Sequence, residues 1–85
     1  MRAYRLEITP SAKKDLESLP KKTRQRVLEA VHKLAVTPRP RGCKKLQGTK
    51  DSYRIRVGDY RVIYEVSDEA VTVLIVRVRH RREAY

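Results

Sequence analysis

The stretch SYRIRVGDYRVIY, residues 52 to 64, sets Arg54, Arg56 and Arg61 among apolar side chains on both sides of a Gly-Asp pair. A guanidinium is planar, charged and bidentate toward phosphate. Arginines gathered on one surface therefore bind a phosphodiester and stabilise negative charge that grows on it. They are poor proton acceptors, because arginine stays protonated at physiological pH. Whether the three gather depends on the elements that carry them.

Gly58-Asp59 suits a two-residue hairpin turn with glycine first, as in a type II′ turn. That loop length sets Val57 opposite Tyr60, Ile55 opposite Val62 and Tyr53 opposite Tyr64 on one face. On the other face Arg56 sits across from Arg61, and Arg54 from Ile63. One side of the hairpin is then apolar or tyrosyl, and the other carries all three arginines. Like charges directly across a strand pair cost stability, a cost that a bound anion offsets.

The remaining elements follow from periodicity. AYRLEIT, residues 3 to 9, alternates as a first strand with Tyr4, Leu6 and Ile8 on one face. Thr9 and Pro10 read as an N-cap and a first helical proline, with Ala12, Leu16 and Leu19 at helical spacing behind them. Pro20 ends that helix and opens a second, roughly 20 to 36, which turns Val27, Leu28, Val31, Leu34 and Ala35 inward. Its outer face carries Lys21, Lys22, Arg24, Arg26 and Lys33, and the short connection predicts an antiparallel helical hairpin. TPRPRG then leads into the loop CKKLQGTKD. Three strands finish the chain, at about 52 to 57, 60 to 66 and 70 to 79. A three-residue loop, Ser67-Asp68-Glu69, places Leu74, Val76 and Val78 on the core side and Arg77, Arg79 and Arg81 on the arginine side. A two-residue loop would bury Arg77 and Arg79, at several kcal/mol per unpaired charge. The predicted fold is α+β, one domain over residues 1–85. A strand, a helical hairpin and a three-stranded antiparallel meander form one mostly antiparallel four-stranded sheet with the helices on one face.

Composition narrows the partners. The 85 residues include 21 Lys and Arg against 10 Asp and Glu, a net charge of +11, and the cations are spread along the chain rather than massed in a tail. Such a field attracts RNA, DNA, an anionic membrane or an acidic protein. No apolar run approaches the ~20 residues of a membrane span, and the N-terminal residues lack a signal peptide's apolar stretch, so a cytoplasmic location is expected. The single cysteine, Cys43, forms no internal disulfide, and its neighbours Gly42 and Lys44 form no nucleophile motif. His32, His80 and Cys43 show no metal-ligand spacing, and Gly42, Gly48 and Gly58 are isolated turn glycines, so neither metal nor cofactor is expected.

A strand, a helical hairpin, KKLQG, YRIRVGDYRVIYEV and a terminal RHRREAY together resemble the RelE/ParE superfamily of toxins from toxin–antitoxin pairs. The resemblance covers essentially the whole chain, and the HRxxxY ending points to the RelE-like branch. It implies a ribosome-dependent endoribonuclease that cuts mRNA in the ribosomal A site and so inhibits translation. It also implies an acidic, RelB-like antitoxin encoded beside it, with DNA contacted only through that antitoxin. Position by position, Arg61 matches the arginine on the scissile phosphate, and Arg54 and Arg56 match two basic residues of the preceding strand. Arg81 matches the arginine after the last strand, Tyr85 a tyrosine that stacks on an mRNA base, and Lys45, with Lys44 beside it, a basic segment before the hairpin. The best-known RelE has lysines at the places of Arg54 and Arg56, and it ends with an additional helix. With the lysines replaced, His80, Tyr85 and Lys45 remain near the same end, and His80, which titrates nearest neutrality, is expected to exchange the proton. Arg77, Arg79 and Arg82, like the cations of the second helix, are expected to meet rRNA phosphates. A ParE-like gyrase inhibitor and a non-catalytic RNA-binding module are the alternatives, and Arg61, Arg81 and Tyr85 together favour the nuclease.

Overall fold

The computed structural model describes residues 3–48 and 51–82 of the chain, so Tyr85 lies outside the described residues. The elements run β1 (Arg5–Ile8), α1 (Pro10–Glu17), α2 (Lys21–Val36), β2 (Lys44–Lys45), β3 (Ser52–Val57), β4 (Tyr60–Ser67) and β5 (Thr72–His80). They form one sheet in the order β1-β5-β4-β3-β2. Only α1 begins with a side-chain cap; α2 has none and starts on its backbone. Thr9 accepts the Ala12 N–H through its hydroxyl oxygen at 3.1 Å and donates that hydroxyl to the Val76 carbonyl at 2.8 Å, so the α1 cap is also a tether to β5. Pro20 opens α2, and its carbonyl accepts the Arg24 N–H at 2.8 Å.

Ala12, Leu16, Leu19, Val27, Val31 and Leu34 face the sheet and are buried with Val62, Tyr64 and Val66 of β4 and Val73, Ile75 and Val78 of β5. Each fully buried side chain of this size contributes about 1.5–3 kcal/mol. Of the predicted inward stripes, Leu28 and Ala35 are only half-buried, and the other residues are buried as expected. β1 runs parallel to β5, from Arg5 beside Thr72 to Ile8 beside Ile75, while the other pairings are antiparallel.

The β3–β4 hairpin has the predicted register, from Tyr53 opposite Tyr64 to Val57 opposite Tyr60. Gly58 takes φ 60°, and Asp59 is not in the left-handed region, the combination of a type II′ turn. A Cβ at Gly58 would meet nothing nearer than the Arg26 Nη1 at 3.9 Å, so the backbone angle alone would penalise it. Gly58→Ala is expected to cost about 1 kcal/mol. Thermal denaturation would show this as a fall of roughly 4–8 °C.

The sheet departs from expectation at two places. It has five strands, because Lys44 and Lys45 pair antiparallel with Arg54 and Tyr53. A strand of two polar residues carries no alternation from which it could be read. The β4–β5 connection is also one residue longer than predicted, since Ser67 pairs with Thr72 and residues 68 to 71 make the turn. The core side of β5 therefore takes Val73 and Ile75, not Leu74 and Val76. A β-bulge then restores the opposite phase. Tyr64 pairs with Ile75 but Ile63 with Arg77, leaving Val76 as the extra residue, after which Val78 points inward and Arg79 outward. One inserted residue thus buries three apolar side chains without burying an arginine.

Candidate active site

The hairpin register lines up Arg56, Arg61 and Arg79 across β3, β4 and β5 on the face away from the helices. One step along, Lys44, Arg54, Ile63 and Arg77 form the neighbouring row. Arg81 follows the end of β5. Its backbone N–H donates to the Asp59 carbonyl at 2.8 Å, which ties the strand end to the turn. Arg56, Arg61 and Arg81, with Gly58, Asp59 and Tyr60, line one cavity of about 220 Å³. Arg61 from β4 and Arg81 from just beyond β5 thus reach the same space. Arg61 is half-buried. Its burial, and then the charges of Arg56, Arg54 and Arg81, push its pKa below the ordinary arginine value. It stays charged at neutral pH, so the cluster holds mutually repelling cations around a space that suits a phosphate.

His80 pairs with Tyr60, on the same side of the sheet as Val62 and Val78 and opposite to Arg61 and Arg79. Its ring meets Tyr60 edge-on, with centroids 5.2 Å apart and planes at 90°. The His80 Nδ1 accepts the Arg82 N–H at 3.2 Å. His80 therefore touches the cavity wall through Tyr60 rather than facing the arginines. Lys44 pairs with Arg54 and joins its face, whereas Lys45 pairs with Tyr53 on the other. Of the matched basic segment, it is therefore Lys44 rather than Lys45 that joins the arginine face. Arg82 is exposed, and the base-stacking expectation for Tyr85 falls outside the described residues. In the sequence, Asp59 reads only as a turn residue. Among the described residues it is the carboxylate that lines the cavity, with Oδ1 3.8 Å from the Arg81 Nη1. Its place between the arginine strands was the available signal.

A family model described as the ParE toxin of the type II toxin-antitoxin system parDE matches residues 6–85. The chain belongs to this toxin family. Over 83 residues it is 34% identical to Toxin RelG of Mycobacterium tuberculosis, covering 96% of this chain and 95% of that one. Over 87 residues it is 32% identical to the mRNA interferase toxin RelE of Escherichia coli, covering 98% of this chain and 90% of that one. The archaeal RelE-RelB complex from Pyrococcus horikoshii superposes with a TM-score of 0.84 at 40% identity, covering 96% of this chain and 99% of that chain. The fold is RelE-like.

Two further charge clusters in the toxin serve its architecture. Arg77, expected to meet rRNA, instead donates its Nε to the Asp15 Oδ2 at 2.8 Å and its Nη2 to Oδ1 at 3.2 Å, and the Val78 N–H donates to Oδ2 at 2.9 Å. β1 pairs with β5 only as far as Ile75, so α1 supplies the carboxylate that satisfies the strand edge beyond it. Burial pushes the Asp15 carboxyl upward, but Arg77 and the Val78 N–H outweigh it and hold the pKa below the usual value. At the end of the sheet away from the cavity, Arg39 donates to both oxygens of Asp68 at 3.2 and 3.0 Å and to the Tyr53 hydroxyl at 2.9 Å. The Tyr4 hydroxyl donates to Asp68 at 2.7 Å and the Tyr64 hydroxyl to the Pro38 carbonyl at 2.8 Å. These bonds pin the loop after α2. Burial pushes the Tyr64 phenol up, which keeps it a neutral donor.

Proposed function

We propose that the toxin is a ribosome-dependent endoribonuclease that cuts mRNA in the A site. The observation that carries this reading is the cavity shared by Arg56, Arg61 and Arg81, together with the likeness to an mRNA interferase toxin. Arg61, supported by Arg54, Arg56 and Arg81, binds the non-bridging oxygens of the scissile phosphate and neutralises the charge that builds as it becomes five-coordinate. The 2′-oxygen bonds to phosphorus while its proton passes to Asp59, the carboxylate in the cavity wall. The P–O5′ bond then breaks, and the 5′-oxygen takes a proton from solvent, leaving a 2′,3′-cyclic phosphate and a 5′-hydroxyl. The arginines supply the positive charge that a metal ion would otherwise bring. Lys44, Lys45, Arg79 and Arg82 meet further phosphates, and Tyr85 stacks on a base of the codon.

His80 is assigned to holding Tyr60 against the cavity rather than to proton transfer. Asp59→Asn is expected to slow cleavage by about 10²–10⁴-fold, as loss of a general base does. His80→Phe, which keeps a ring against Tyr60, should retain most of the activity that His80→Ala loses. An inactive His80→Phe beside an active Asp59→Asn would return the proton to His80. The direct test of the function is incubation of the purified toxin with programmed ribosomes, where cleavage should fall in the A-site codon and be absent on the same mRNA without ribosomes.

An acidic antitoxin encoded beside the toxin is its proposed partner. The +11 net charge and the likeness to RelE-RelB complexes support it, and such a segment folds as it binds. The ribosome as target places the toxin in the cytoplasm. Among the described residues no helix is long and apolar enough to cross a membrane. The ParE description of the matching family favours a second reading, inhibition of DNA gyrase. Induced expression separates the two: translation stops first for the nuclease, whereas DNA damage comes first for a gyrase inhibitor.

A further inference from the structure

We propose that Arg41, Lys44, Arg54 and Arg56 build a second phosphate subsite, which holds the same RNA strand as it leaves the cleavage cavity and crosses toward the β2 edge of the sheet. This rests on the reading of the first cavity as the place of cleavage. The four cations line a space of about 370 Å³ with Gly42 and Ile55, and Arg56 belongs to both cavities. Gly42 takes φ 95°, a turn that lets Arg41 from the loop and Lys44 from the strand reach one space. β2 stops at Lys44, so no strand covers the outer edge of β3 beyond Arg54. Among the described residues no carboxylate forms an ion pair with Arg41, Lys44 or Arg56.

The opposite end of the same face has the reverse charge. Among the described residues, Glu7, Asp51 and Glu65 line a cavity of about 380 Å³ there, with Arg5 as the one cation. A phosphate backbone is repelled from that end and drawn along the row Arg81, Arg61, Arg56, Arg54, Lys44, Arg41. Three strand spacings, from β5 to β2, cover about 14 Å. A stacked single strand advances about 3.4 Å per nucleotide, so a strand held in the first cavity carries further phosphates into the second. A regular polyanion continuous with the scissile phosphate fits this layout better than an acidic peptide, whose charges need not continue into the cleavage cavity.

The test compares wild type, Arg41→Ala/Lys44→Ala and Arg61→Ala. Binding of a ten-nucleotide oligo-U RNA is followed by fluorescence anisotropy over a salt series, and kcat and KM are measured on programmed ribosomes. The double variant should reduce the slope of log affinity against log salt by about 1.4, the loss of two single-strand phosphate contacts at ~0.7 each. It should raise KM about tenfold and lower kcat less than Arg61→Ala does. Arg41 and Lys44 are exposed, and an unchanged melting temperature confirms that the double variant folds. Unchanged salt slope and KM in the double variant, while wild type still cleaves, would overturn the subsite and leave the nuclease standing. A wild type that cuts no mRNA on programmed ribosomes, with the slope loss intact, would sink the nuclease and keep a phosphate subsite. Loss of affinity for poly-glutamate but not for oligo-U would give the cavity to an acidic protein and overturn the proposal.

Discussion

Replacing Arg61 with alanine is expected to slow mRNA cleavage on programmed ribosomes by roughly 10²–10³-fold, mainly through kcat, because a donor aimed at developing charge is lost. Arg61 sits at the centre of the cluster. Arg56 and Arg79 lie across from it on the two neighbouring strands, and Arg81 shares its cavity. Arg61→Lys should recover only part of the rate, since an ammonium is a point charge without the bidentate geometry. The charges of Arg56, Arg54 and Arg81 already bear on Arg61, so removing the central cation relieves repulsion in the unliganded toxin. A phosphate analogue should therefore raise the melting temperature of wild type more than that of Arg61→Ala. Wild-type cleavage by Arg61→Ala would remove this arginine from the mechanism.

Replacing Asp15 with asparagine is expected to cost about 2–3 kcal/mol at neutral pH, since it discharges a largely buried carboxylate and strips Arg77 of its charged partner. For a domain of this size, that lowers the melting temperature by roughly 10 °C or more. The effect has a defined pH dependence. Burial opposes ionisation of Asp15, but Arg77 and the Val78 N–H win, so the carboxyl titrates lower folded than unfolded. A depressed pKa contributes stability that is fully present above the unfolded value, about 3.9, and is lost as pH falls through the folded one. The gap between wild type and Asp15→Asn should therefore be widest near pH 7 and close in acid. Urea denaturation at pH 7 and at about pH 3 measures it. An equal gap at both values would mean that shape rather than charge gives Asp15 its effect.

The hairpin and the helices were legible in the chain because their rules are local. A Gly-Asp turn of two residues and strict alternation determine which side chains lie across from one another, and the observed pairs from Tyr53–Tyr64 to Val57–Tyr60 follow them. The stripe at Val27, Val31 and Leu34 and the Thr9 cap likewise use residues only a turn or two apart. The candidate site was legible where it rests on that hairpin, through Arg54, Arg56 and Arg61. It was less so where β5 contributes. There a one-residue error in the turn shifts every side chain to the other face, and a bulge at Val76 shifts them back.

By itself, then, the sequence determined an α+β toxin fold with an arginine face on its central hairpin, since turn length and alternation act between near neighbours. Tertiary structure decided the rest. It directed Arg77 to Asp15, 62 positions away, turned His80 onto Tyr60, brought Lys44 rather than Lys45 beside Arg54, and set Asp59 among the arginines. Each of those outcomes depends on which distant groups must be satisfied once the helices cover the sheet. No local periodicity encodes such a requirement.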